Sequence, residues 1–286
     1  MKRLIVTADD FGVAAEVNEA VELAHTRGVL TAASLMVGGG AVEDAVERAR
    51  RLASLRVGLH VVLVEGRPVL PPAAVPDLVD ASGFFRRDMV ACAVDIFFKP
   101  AARRQLTAEI EAQFEAYRAT GLPLDHVNTH KHFHLHPTIA GTILKVGRGF
   151  GLKAMRVPTE PRAVLARAEP EAVFGPAYVT GPWSELVRRR LKRAGVATAD
   201  HVFGLRWSGA LTAVRLEALL RHLPDGLSEI YLHPAVRGGF EGAAEGYRYA
   251  EEFAALTDPG VIAAIHAADV QLGGFVDFTG APRLAA

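Results

Sequence analysis

From Leu4 to Val64 the chain alternates short apolar runs with segments of helical period, and this alternation restricts its fold more than any other feature. Leu4 to Ala8 is an apolar run closed by Asp9 and Asp10, the pattern of a buried strand. Glu16 to Arg27 then places Val17, Ala20, Val21 and Ala24 on one face, and Gly28 closes the helix. Ala32 to Val37 reads as a second strand, Val42 to Leu52 as a second helix and Val57 to Val64 as a third strand. Such an order predicts an α/β fold with a parallel sheet. At 286 residues, an α/β barrel forming one domain is an ordinary size.

From Glu65 to about Pro100 the alternation breaks. Pro68, Pro71, Pro72 and Pro76, and the stretch Asp80 to Phe85, predict a long loop over the barrel mouth. Helices are expected over Pro100 to Thr120, Thr138 to Gly149, Leu211 to His222, Tyr247 to Leu256 and Pro259 to Ala267. Further strands are expected over Asp125 to Asn128, Ala154 to Val157, Ser228 to Leu232 and Val270 to Phe275. Glu160 to Phe203 reads as less regular, apart from a helix over Trp183 to Arg193. No repeat or linker divides the chain.

The bulk properties remove several classes of function. Lys plus Arg and Asp plus Glu both number 32, so there is no basic excess of the kind a general nucleic-acid binder carries. Cys92 is the only cysteine, which excludes an intrachain disulfide and a cysteine-based zinc site, and fits a reducing cytoplasm. Asp9 and Asp10 end the first apolar run too early for a secretory signal. No stretch supplies the roughly 18 apolar residues of a membrane span.

Four segments end in side chains that can do chemistry: Asp9-Asp10, His60, the run His130, His132, His134 and His136, and His233. Each lies at or near the C-terminal end of an expected strand, where barrels of parallel strands build their active sites. Imidazole is the commonest protein ligand for metals. A catalytic metal takes about three protein ligands and keeps a position open. Neighbouring side chains in a strand face opposite ways, but a turning strand end lets Asp9 and Asp10 share a site, one as ligand and one as proton acceptor. One of them could instead cap the following helix. His60 is either a ligand or a satisfied core histidine. In extended chain the four alternating histidines would all face one way, giving one ligand, one or two residues lining a substrate pocket and the rest in support. His233 suits a general acid or base, or a hydrogen bond to loop backbone. Arg156, at a strand end, suits a contact to a bound substrate, or an ordinary ion pair.

Together, Thr7 to Gly12, Gly58-Leu59-His60, His126 to His136 and Tyr231 to Pro234 resemble the YdjC-like carbohydrate deacetylase family over nearly the whole chain. Leu122 to Pro137 and Gly66 to Pro72 are similar to the subgroup associated with hopanoid biosynthesis. The resemblance implies a distorted, TIM-like (βα) barrel, a single domain over residues 1–286 with an inserted long loop, often dimeric. It implies removal of acetyl groups from N-acetylated amino sugars with a divalent metal, Zn²⁺ or Mg²⁺. Carried over by position, Asp10, His60 and His130 hold the metal, Asp9 is the general base and His233 the general acid. His132, His134 and Arg156 then fall to the substrate. One departure stands out: Asn128 replaces an Asp found in many members, and an amide carries no charge.

The subgroup implies an N-acetylglucosaminyl hopanoid lipid as substrate. A soluble oligosaccharide such as chitobiose, a different amidase or phosphoester hydrolase, and a non-catalytic sugar-binding protein are the alternatives. For a lipid substrate, Phe84-Phe85 and Ile96-Phe97-Phe98 are expected as apolar contacts near the mouth. The basic end of Trp183 to Arg193 would meet the inner membrane surface, or is simply a favourable helix C-terminus.

Overall fold

The computed structural model describes residues 1–170 and 177–279. Its strands are β1 (Lys2–Phe11), β2 (Ala32–Leu35), β3 (Arg56–Val61), β4 (Val127–Thr129), β5 (His201–Phe203), β6 (Gly226–Leu232) and β7 (Val270–Leu272). The longer helices are α1 (Ala15–Arg27), α2 (Val42–Arg51), α3 (Met89–Phe98), α4 (Pro100–Ala119), α5 (Pro137–Gly147), α6 (Arg162–Ala168), α7 (Ala177–Arg193), α8 (Ala213–Arg221), α9 (Tyr249–Thr257) and α10 (Pro259–Ala267), followed by the short α11 (Phe275–Phe278). No helix among the described residues is long and apolar enough to cross a membrane.

All the strand pairs are parallel, in the order β4-β3-β2-β1-β6-β5. β7 joins the first residues of β1, at Lys2 to Leu4. The two ends of this path are linked through residues 154–159. Arg156 N–H donates to Val127 O of β4, and Val202 N–H of β5 donates to Thr159 O. The result is a distorted (βα) barrel wrapped by helices.

Period-two alternation sorts the strand residues into two layers. Leu4, Val6 and Ala8 of β1, with Val57, Leu59 and Val61 of β3, belong to the main apolar core under the helices. The intervening residues point inward. Ile5, Ala32, Ala154, Leu227, Val202 and Phe275 form a small apolar plug. Thr7, Asp9, Ser34, His60, His126, Asn128, Arg156 and Glu229, all buried, form a polar column on the same inward positions.

Several expectations change. The long loop contains α3, whose start is capped by Asp88 accepting from Ala91 N–H at 2.9 Å. α6 and β5 lie in the stretch expected to be irregular. Ala154 to Val157 contributes isolated bridges rather than a regular strand. The last expected strand stops at Leu272 and gives way to α11.

Candidate metal centre and active site

The site forms where the inward column reaches the C-terminal ends of the strands. Asp9 follows the alternation of β1 and points inward. Asp10 has φ 63°, and the β1–β2 register shifts between Ala8 and Phe11. This irregularity is why two adjacent carboxylates reach one site. His60 is inward on β3, beside Asn128 of β4 in register.

The histidine run is not extended. Residues 130–135 form a 3₁₀ turn in which Lys131 and His132 both have φ 53°. The expected common orientation is therefore lost, and the four rings separate. His130 meets Asp10 and His60. His132 Nε2 lies 2.8 Å from the Tyr231 hydroxyl. His134 is fully buried, with Nδ1 2.7 Å from Thr129 Oγ1. His136 starts α5 and rests against the Phe97 ring. Strain gathers here: four of the five described non-glycine residues with positive φ are Asp10, Glu65, Lys131 and His132, a conformation that costs energy and clusters at functional sites. Lys131 Nζ and Glu65 Oε2, 2.5 Å apart, join two of the strained turns.

Asp10, His60 and His130 form a cluster able to hold a metal ion. Asp10 Oδ1 is 3.3 Å from His60 Nε2 and 3.2 Å from His130 Nδ1, and the two nitrogens are 3.4 Å apart. Donors bonded tetrahedrally at about 2.1 Å stand about 3.4 Å from one another, so the three atoms fit one ion. Two imidazoles and a carboxylate are a donor set suited to zinc-like ions.

The surrounding hydrogen bonds prepare this set. Both oxygens of Asp9 accept from Arg156, at 2.5 and 3.0 Å. Asn128 Nδ2 donates to Asp9 Oδ1 (3.0 Å) and to Ser34 Oγ (2.9 Å). The amide orientation is thereby fixed, and Oδ1 must face His60 Nδ1 at 2.7 Å. Nδ1 therefore carries the hydrogen, and the lone pair of Nε2 is turned toward Asp10 and His130. The order continues downward: the Ser34 hydroxyl donates to His126 Nε2 (3.0 Å), and His126 Nδ1–H donates to Asp125 (2.9 Å).

Electrostatics follow from this packing. Burial pushes the Asp9 carboxyl up, but the charges of Arg156 and His60 outweigh it and hold Asp9 well below the usual carboxylate range. Burial likewise opposes ionisation of Asp10, and His130 overcomes it. For His60, burial favours the neutral ring, yet Asp10 and Asp9 leave its pKa raised. Burial and Arg156 push His134 down to about 3 and keep His132 neutral as well.

Two residues expected at the substrate are elsewhere. Arg156 has no exposed surface, and its guanidinium is held by Asp9 and Glu229, so it takes the ion-pair alternative. His134 is sealed beneath the 3₁₀ turn. His233 sits at the end of β6, edge-on to Tyr231 and Tyr247, its backbone N–H donating to Glu252 at 2.5 Å. Its charge acts on both Asp9 and Asp10. Glu229, Tyr247 and Glu252 escaped the sequence reading. The period-two row Leu227, Glu229, Tyr231 of β6 was the signal for the first.

A cavity of about 540 Å³ opens above the cluster. Asp10 and His130 line it, together with Gly38 to Gly40 and with Val62, Arg67, Phe84 and Arg87. The glycine wall is steric in origin: a Cβ on Gly39 would lie 2.2 Å from Gly12 O.

The model of the family described as YdjC-like protein matches residues 3–267. A carbohydrate deacetylase of Geobacillus stearothermophilus is 30% identical over 277 residues, covering 96% of this chain and 97% of that protein. A carbohydrate deacetylase of Brevibacillus brevis is 39% identical over 150 residues, covering 52% of this chain and 56% of its own length. One from Oceanobacillus iheyensis is 34% identical over 52% of this chain and 62% of its own. These last two matches thus span little more than half of those relatives. The fold resembles a protein of Enterococcus faecalis V583 assigned to cellobiose-phosphate cleavage, with TM-score 0.76 and 25% identity over 96% of this chain and 98% of that one. The family match over nearly all the strands and all four site segments shows that the chain belongs to the YdjC-like family.

Proposed function

We propose that the protein is a metal-dependent hydrolase that removes the acetyl group from an N-acetylated amino sugar. The observation that carries this reading is the meeting of Asp10, His60 and His130 within one coordination sphere, with the Arg156-bound Asp9 beside them. The relatives named carbohydrate deacetylase support the choice of reaction. The two imidazoles favour a zinc-like ion over Mg²⁺, which prefers oxygen ligands.

Asp10, His60 and His130 would hold the ion, which supplies Lewis acidity toward water and the acetamide carbonyl. Asp9 takes the proton that the attacking water loses. Arg156 keeps it ionised, and a weak carboxylate base suits a water that is already acidic. His233 gives a proton to the leaving nitrogen as the C–N bond breaks. The products are acetate and a free amino sugar. Tyr231 holds the His132 ring, the side chain assigned to the sugar. Arg156 and His134 act by positioning, Arg156 through Asp9 and His134 through the 3₁₀ turn.

The cavity volume is in the range of small-molecule sites. The likeness of Leu122 to Pro137 and Gly66 to Pro72 to the hopanoid-associated subgroup supports a lipid-linked N-acetylglucosamine as substrate, with soluble chitobiose the competing choice. Acetate release is the test, measured on metal-loaded protein with lipid-linked and soluble N-acetylglucosamine compounds. Lipid-linked substrate should be preferred, and release from neither class sinks the deacetylase reading. Asp9→Asn should cut turnover by about a thousandfold or more while leaving metal affinity within a few fold. Equal loss of both would contradict the division of roles between the two carboxylates.

A further inference from the structure

Helix α3 is apolar on both sides. Cys92 and Ile96 face the core, while Val90, Val94, Phe97 and Phe98 are 74%, 49%, 50% and 70% exposed. These four stand at i, i+4, i+7 and i+8, a continuous outward stripe. A helix apolar all round is normally buried, yet none of the described residues covers that face.

Exposed apolar side chains are also found on α7. Phe97 packs on His136, and Arg190 of α7 donates to the carbonyl of Pro137, the next residue. Both helices therefore border the start of α5. On α7, Trp183 and Leu186 are 50% and 49% exposed. They are a second pair of exposed apolar side chains, on a helix that borders the same start of α5 as α3 does.

Charge separates the candidate occupants. The chain as a whole is neutral, with 32 cations and 32 acids. Residues 86–104 nonetheless carry five Lys or Arg against two acids, and residues 183–193 carry five against one. Cations thus border the apolar stripe, with Arg87 before it, Arg104 after it and Arg193 along α7, while Lys99 and Arg189 are paired with Asp95 and Glu185. A second copy of the chain would bring the same cations against these. An anionic lipid surface would neutralise them and take up the aromatic side chains. Trp183 suits the boundary between headgroups and acyl chains. Arg87 also lines the cavity over the metal cluster, so this face adjoins the opening of the site.

We infer that the α3–α7 face docks the protein on an anionic lipid bilayer and presents the opening of the cavity to the membrane surface. The inference deepens the lipid-linked reading of the substrate, and its test does not depend on turnover. Metal-loaded full chain is sedimented with vesicles of phosphatidylcholine alone, and with vesicles of equal parts phosphatidylcholine and phosphatidylglycerol. Sedimentation is expected with the anionic vesicles and to be weakened by salt. Phe97→Ser combined with Phe98→Ser, both at least half exposed, should weaken vesicle affinity by about tenfold or more. The pair should leave turnover of a soluble acetamido sugar and the mass in solution unchanged. Arg104→Glu should weaken anionic binding in the same direction. No binding to anionic vesicles, or binding that the double variant leaves unchanged, overturns the inference. So does a double variant that falls from dimer to monomer without any vesicle binding, which would assign the face to a second copy. Absence of acetate release from every sugar would sink the proposed reaction and leave the docking result standing.

Discussion

Asn128 shows how much one side chain can determine. Its amide donates to Asp9 and Ser34 and accepts from His60, so it fixes one carboxylate and one ring at once. An Asp at this position could receive from His60, but it could not donate to Asp9 and would set two carboxylates together. Asn128→Ala should free the His60 ring and lower metal affinity about 10- to 100-fold. ¹⁵N NMR of the metal-free protein, at a pH high enough for the ring to be neutral, reads the tautomer directly, with Nδ1–H in the wild type and a mixture in the variant. Asn128→Asp should keep the His60 tautomer while disordering Asp9, so turnover falls much further than metal affinity. An unchanged His60 spectrum in Asn128→Ala would show that the amide does not set the ring.

At the scale of elements, the excursion from β3 to α4 shapes the cavity and is fastened from below. Buried Glu109 of α4 accepts from Val69 and Leu70 N–H, and Gln113 binds both backbone groups of Val62. Burial raises the pKa of Glu109, an effect its hydrogen bonds offset only partly. Glu109→Ala leaves two backbone donors unpaired and should cost about 1–3 kcal/mol. Limited proteolysis within residues 66–88 should quicken and KM should rise more than kcat falls. Unchanged cleavage would mean that the wall is held elsewhere. Much of this element order was legible in the sequence, because apolar runs and helical periodicity carry their own signal through the first three strands. α3 was hidden because its outward face is as apolar as its inward face, which erases the contrast that marks an amphipathic helix. The turn at Lys131 and His132 was hidden for a different reason. Positive φ in residues other than glycine is imposed by surrounding contacts and leaves no local mark. The segments bearing Asp9, Asp10, His60, His130 and His233 could be read because strand ends point to one rim. The burial of Arg156 could not, since it depends on Glu229 across the barrel.

For the whole molecule, the polar column inside the barrel ties stability to pH. His134 is neutral in the folded state, with its pKa pushed by burial from the ordinary 6.5 down to about 3. The unfolded chain therefore binds a proton that the native state refuses between these values. This contribution is complete above about pH 6.5 and is lost as the pH falls toward 3, by at most about 5 kcal/mol. His134→Gln should lower Tm at pH 7.5 but flatten its decline between pH 7 and 5, measured in the presence of a chelator to exclude metal release. Parallel curves for the two proteins would contradict the assignment. The pairing of β1 has a different consequence. Lys2 to Ala8 lie against Gly226 to Leu232, and Lys2 to Leu4 also against Val270 to Leu272. During synthesis the strand that bears Asp9 and Asp10 is made well before β6, and one whole edge of it waits for more than two hundred further residues. The nascent chain must carry these two adjacent carboxylates through that whole interval before the barrel can close around them.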